Sequence, residues 1–231
     1  MRGEMSTYLQ LCQKITRDLG VGTSISTVSD QIGMSRKFVD WIADADEYVQ
    51  SLYFDWNFLW SQYSTTTVVG TREYSAPSDL GVWDKDSFYL DYLSDGYIKL
   101  SEIPYLTWRQ AFLPGSHTNS KSSSFLLAPN HNVYLEPIPD AAYMLTADYW
   151  KSGTRMTTNV DTSDIPARFE RIIIARAKIY YAEHEELPNV FELATNEFDS
   201  LLKQLEAAEL PGREEYGRGH AHDSDMVIRT E

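Results

Sequence analysis

His184 stands among Glu183, Glu185 and Glu186. Imidazole and carboxylate groups together suit a divalent metal. The same residues fall where a helix is expected to end, and the helix dipole and the acidic neighbours favour a cationic histidine there. A solvated helix end is therefore the expected state. His220 and His222, with Asp223 and Asp225, form a second such set. They lie in a charged terminal segment with no outer shell of partners to orient them. Thirty-four Asp and Glu residues create many carboxylate pairs. A glycosidase needs two of them at a set separation across a cleft, and no spacing singles out such a pair. The chain has no Gly-x-Ser-x-Gly, His-Glu-x-x-His, Walker A or dinucleotide-binding glycine motif. Cys12 is the only cysteine, which excludes an intrachain disulfide and a thiolate metal cluster. It falls at apolar spacing in a helical stretch, so a buried thiol is expected. No catalytic residue, metal or cofactor is expected.

Nucleic-acid chemistry has one candidate. Residues 28–42 read as a helix-turn-helix, with Gly33 in the turn, Ser35 opening a recognition helix, and Arg36 and Lys37 placed for phosphates. The helix that follows runs on too far for that motif. From Arg36 to Tyr63 it carries two basic and five acidic residues. The whole chain has 20 Lys and Arg against its 34 acids, a formal net charge of −14. Binding DNA in general requires clustered cations that displace counterions, and this surface should repel it. A DNA-binding regulator is the alternative reading. Surface Trp108 and Trp150 are the sole hint of a third, a carbohydrate-binding β module. The opening Met1-Arg2-Gly3-Glu4 lacks the apolar run of a signal peptide. Ile172-Ile173-Ile174 is the longest aliphatic run, far too short for a bilayer. Synthesis in a reducing cytoplasm without membrane association is expected.

The elements that would position these residues follow from periodicity. Ser6 caps a first helix that ends near Leu19, before Gly20 and Gly22. Ser35 caps a second. Phe38, Ile42, Ala45, Val49, Leu52, Trp56, Leu59 and Tyr63 form an apolar seam at alternating spacings of four and three. At 1.5 Å per residue this predicts a helix of roughly 40 Å. Trp41, Tyr48, Phe58 and Trp60 lie off the seam and call for a second surface, in the β module or in another subunit. Asp40, Asp44, Glu47 and Asp55 make an acidic stripe, by default a solvated face.

From Thr65 the pattern turns β-branched. Pro77 to Asp84 reads as loop. Ser94-Asp95-Gly96 between two apolar runs predicts a hairpin. Trp108 sits in one or two helical turns. Residues 114–124 read as loop. Strands are expected at 125–128, 133–138 and 143–151, about six in all. Helix returns near Asp164, and Pro188 separates two amphipathic segments that should form an antiparallel hairpin. The fold class is α+β: an antiparallel helical bundle (1–63 and 164–208) interrupted by a β-rich, sandwich-like insertion (64–163), with an extended C-terminal arm (209–231). Arg213 to Glu231 is rich in Gly and charge, and its short apolar cluster is Met226, Val227 and Ile228. Composition leaves it either a terminus without a role or an arm that folds on a partner.

Several strings, in shared order, resemble the head-to-tail adaptor proteins of tailed bacteriophages. Tyr8-Leu9-Gln10-Leu11-Cys12 through Leu19-Gly20 is similar to their opening helix. Val39-Asp40-Trp41-Ile42, Val49-Gln50-Ser51-Leu52 and Asp55-Trp56-Asn57-Phe58-Leu59 resemble the second helix. Leu135-Glu136-Pro137-Ile138-Pro139-Asp140, with Tyr143 and Tyr149, resembles the last hairpin of the β module. Asp164-Ile165-Pro166, followed by Ala175 and Tyr180-Tyr181, resembles the return into the bundle. The likeness covers residues 6 to 208. Asp44-Ala45-Asp46 departs from it where an aromatic should follow the alanine.

The resemblance implies a non-enzymatic ring of twelve copies docked under the portal at the capsid vertex, assembled in the host cytoplasm and retained in the virion neck. Portal protein on one side and a neck, stopper or tail protein on the other would be its partners. Genomic DNA would pass through without specific binding. Asp40, Asp44, Glu47 and Asp55 would then face a channel, where repulsion within a Debye length of ~8 Å keeps DNA moving. Trp41, Tyr48, Phe58 and Trp60 would meet the neighbouring subunit. Tyr216, Met226, Val227, Ile228 and Arg229 would carry the arm's contact with the portal.

Overall fold

Thr7, not Ser6, caps the first helix. In the computed structural model, which describes residues 5–22, 24–92, 96–111 and 118–210, α1 spans Tyr8–Asp18. The Gln10 N–H donates to Thr7 Oγ1 at 3.3 Å, and the Thr7 N–H donates to Gln10 Oε1 at 2.9 Å. Each side chain satisfies an amide that the helix leaves unpaired. Tyr8, Leu11, Cys12 and Ile15 form the buried face.

The second helix, α2, spans Gly33–Ser51. Extended Ile32 precedes it, and Ser35 lies inside it without capping. It stops twelve residues short of Tyr63. Its 19 residues make a rod of about 29 Å. The reason is a competing pairing. Asn57–Leu59 forms a 3-10 turn, and Trp60–Thr66 becomes strand β1. Every residue of β1 has a partner across the sheet, from Trp60 opposite Trp150 to Thr66 opposite Met144. The apolar spacing carries on past Ser51 because Trp56 and Leu59 still enter the bundle core, through a turn instead of a helix.

Two sheets form the insertion. The first is ordered β1, β9 (Met144–Lys151), β4 (Tyr89–Asp91), β5 (Tyr97–Lys99), and β3 (Leu80–Trp83) also pairs with β9. The second is ordered β2 (Glu73–Tyr74), β8 (Val133–Glu136), β7 (Ser124–Leu127), β6 (Ser101–Glu102). Nine strands are thus described where about six were expected. β3 lies inside the segment read as loop, and a register shift between Leu80 and Val82 interrupts its pairing. The predicted hairpin exists as β4 and β5, antiparallel with Tyr89 opposite Lys99. Its turn residues 94 and 95 lie outside the described residues. The inner faces share a core in which the Phe88 and Phe125 rings stack at 3.9 Å and 13°. The insertion is therefore a sandwich.

Trp108 lies in the short helix α3, Tyr105–Ala111. It is buried, and its indole N–H donates to Glu136 Oε2 at 3.1 Å. Trp150 is also buried and packs with the bundle core. Neither indole offers a surface for sugar stacking, which removes the hint of a carbohydrate module.

The bundle is completed by α4, Arg171–His184, and α5, Pro188–Glu209, packed as a hairpin. A 3-10 turn, Ala167–Phe169, follows Pro166. Pro188 opens α5 at its first turn, where its missing N–H costs nothing. Leu187 precedes it without a side-chain cap.

Candidate functional site

An open groove of about 670 Å³ runs beside the sandwich, lined in part by Phe54, Val82, Lys85, Asp86, Lys99 and Glu102. Its charges pair with each other, Lys85 with Glu102 at 2.7 Å and Lys99 with Asp86 at 3.1 Å. Among the described residues no three His, Cys, Asp or Glu side chains group to hold a metal. His184 ends α4, with Nδ1 at 2.9 Å from Glu185 and Nε2 against Lys37. His220, His222, Asp223 and Asp225 lie outside the described residues. Burial pushes the Cys12 thiol up to about 12, so it stays protonated and inert.

The helix-turn-helix reading fails on geometry. No helix occupies residues 28–32, and α1 ended at Asp18. Asp30 instead adopts a positive φ of 56° in a turn. Arg36 pairs with Asp40 at 3.6 Å, and Lys37 meets His184.

What the molecule offers is surface. Asp40, Asp44 and Glu47 are exposed along one side of α2. Arg155, from the segment between β9 and α4, lies between the last two, at 2.6 Å from Asp44 and 2.8 Å from Glu47. These carboxylates hold its guanidinium still more firmly protonated. Asp55 is half-buried in the turn after the helix, so the stripe has three members on α2 and the fourth apart.

The four off-seam aromatics likewise do not share one helix face. Trp41 packs edge-on against Phe38, Tyr181 and His184, at 5.5, 6.2 and 5.6 Å between ring centres. Tyr48 reaches Phe198 at 6.2 Å. The α4–α5 hairpin, not the sandwich, is what meets both. Phe58 stacks on Trp56 in the 3-10 turn at 5.3 Å. Trp60, 46% exposed, opens β1. It shares a cross-strand row with Trp150 and Val82. Phe54, 48% exposed, meets the Trp150 ring edge-on at 6.0 Å. An aromatic patch thus marks the joint between bundle and sandwich. The arm residues Tyr216, Met226, Val227, Ile228 and Arg229 lie outside the described residues.

Two residues escaped the sequence reading. Asp46 is an acid with no exposed surface, bonded to Ser163 and Gln50. Its spacing of four from Ile42 and three from Val49 already placed it on the buried side. Arg176, on α4, sits against three aromatic rings from three helices. Nothing in its sequence surroundings distinguishes it from a solvated helix arginine.

No curated protein matches the chain. Residues 6–221 match the family described as SU10 adaptor protein. The span takes in all five helices and all nine strands described here, so the likeness is to the interrupted bundle as a whole. A match over that span shows that the chain belongs to the SU10 adaptor protein family.

Proposed function

We propose that this chain, a head-to-tail adaptor of a tailed bacteriophage and a structural component of the virion, works as a ring of twelve copies seated under the portal at the capsid vertex. It joins the portal to a neck, stopper or tail protein and extends the channel through which genomic DNA passes without specific binding. The ring assembles in the host cytoplasm. The observation that carries this reading is the family match across bundle and sandwich together. The exposed acids of α2 and the net charge of −14 suit a wall that DNA must leave freely. The aromatic patch at Phe54 and Trp60 suits a protein contact.

The chain should co-migrate with its portal protein as one particle whose mass corresponds to a closed ring, measured by native mass spectrometry. Failure to bind any portal or neck protein would sink the proposal. Removing Arg213 to Glu231 should weaken portal docking by at least about tenfold while leaving thermal unfolding of the remainder unchanged, because a segment that orders on its partner contributes affinity without supporting the fold. Unchanged docking would dispose of the arm's role, and Tyr216, Met226, Val227, Ile228 and Arg229 with it.

A further inference from the structure

Arg176 is built unlike the other arginines among the described residues. Arg36, Arg72, Arg155, Arg168 and Arg171 each meet a carboxylate. Arg17 and Arg109 are exposed to water. Arg176 is largely covered, yet no carboxylate reaches it among the described residues, in a chain with 34 acids to 20 bases. Its guanidinium carbon lies 4.0 Å from the centre of the Tyr48 ring, 4.6 Å from Tyr180 and 5.8 Å from Phe198. Its Nε is buried without a hydrogen-bond partner. Neither terminal nitrogen is fully buried without a partner as Nε is. Tyr48, at the rim, is 36% exposed.

We propose that the box formed by Tyr48, Arg176, Tyr180 and Phe198 is the acceptor for a carboxylate of the adjacent copy in the ring. The inference rests on the ring reading above and names one contact within it. Stacking on aromatic faces fixes the guanidinium plane before any partner arrives, so little rotamer freedom is lost on binding. The planar fork matches a carboxylate with two parallel hydrogen bonds. Arg and Tyr in a largely desolvated pocket are the residues that dominate interface energies. A closed ring is made of head-to-tail contacts, so each copy must carry both an acceptor and a donor. The large excess of carboxylates makes this chain itself the ready source of the donor.

The wild-type protein supplies the first test. An arginine-specific dicarbonyl reagent, read by peptide mass spectrometry, should modify Arg176 in the dilute monomer and leave it protected in the isolated ring. Arg176→Met fills the same box without charge. It should keep the monomer's thermal unfolding and raise the dissociation constant of the ring by at least about thirtyfold, the loss expected when one side of a buried charge pair is removed. Equal reactivity of Arg176 in monomer and ring overturns the contact, as does an Arg176→Met ring that dissociates like the wild type. Protection that appears only after portal protein or DNA is added overturns it too, since the occupant is then not a second copy. A wild-type chain that never leaves the monomer overturns the ring itself, whereas a wild-type ring with reactive Arg176 overturns the contact alone.

Discussion

Trp56→Ala should lower the stability of the folded chain by about 4 kcal/mol, the cost of emptying a large aromatic site in a packed core. Trp56 has no exposed surface and lies where α2 gives way to the sandwich. Its ring meets Tyr53 edge-on at 5.1 Å and stacks on Phe58 at 5.3 Å. Its indole N–H donates to the Val49 carbonyl at 3.2 Å, one of the orphan acceptors at the end of α2. Without it, that carbonyl keeps the 3.4 Å bond from the Leu52 N–H. The alanine variant loses buried area, leaves a cavity and weakens the signal that ends the helix. Trp56→Phe keeps most of the ring and loses the hydrogen bond, so it should cost about 1–2 kcal/mol. Urea unfolding of the three proteins measures both values. A loss below about 1 kcal/mol for alanine would mean that the site collapses around the smaller side chain.

The same joint explains where the sequence misleads. Trp56, Leu59 and Tyr63 continue the four-and-three spacing of α2, so periodicity alone extends the helix to residue 63. Their burial does not need a helix. Trp56 and Leu59 reach the bundle core through a turn, and Tyr63 turns to the sandwich core. The strand signal was present in Ser61, Tyr63 and Thr65, which alternate with more exposed neighbours in β1. A seven-residue ladder to β9 then outweighs local helix preference, as tertiary pairing commonly does. β3 was hidden for a related reason: Leu80-Gly81-Val82-Trp83 lies among turn-forming residues, and only β9 and a register shift make it a strand. The helices α1 and α5 were legible because one apolar face decides each, whereas α4 buries Ile172, Ile173, Ile174 and Ala175 in succession and was legible from its apolar density before Pro188. The Asp-Gly hairpin was legible because its turn chemistry is local.

The candidate site was less legible, since its parts come from distant positions. The acidic side of α2 could be read as a stripe, but Arg155 reaches it from more than 100 residues away. Trp41 and Tyr48 announced a second surface, and the choice of the α4–α5 hairpin depends on helix packing that spacing does not encode. The ordered strings over residues 6–208 did carry the family, and the match over residues 6–221 bears that out.

Asp46→Asn should stabilise the chain, and the gain should depend on pH in a fixed direction. Burial is the main cause that raises the Asp46 carboxyl from 3.8 to about 6. Hydrogen bonds from Ser163 and Gln50 oppose the rise, and the nearby Asp164 and Glu47 add to it. Asp164 is itself paired with Lys151 at 3.3 Å, and Glu47 with Arg155. The folded-state value lies above the unfolded one. The group's favourable contribution is therefore complete below 3.8 and is lost as pH rises through about 6. Two units correspond to about 3 kcal/mol, the cost of holding the bare carboxylate inside at neutral pH. Asparagine has no charge to bury. Its amide can accept from Ser163 and, once the Gln50 amide turns over, donate to Gln50 Oε1, which has no hydrogen-bond partner among the described residues. That oxygen is pressed against Gly153, where an added Cβ would come within 2.5 Å of it. The acid thus fastens α2 to the segment running from β9 to α4 through Ser163 and Gln50, and it does so best when neutral. The difference in unfolding free energy between variant and wild type should be near zero at about pH 4 and approach 3 kcal/mol at about pH 8. Other titrating groups cancel in that difference. A variant less stable than wild type at about pH 8 would show that the two hydrogen bonds to the carboxylate outweigh its desolvation, and the assignment of Asp46 as a group buried at a cost would be wrong.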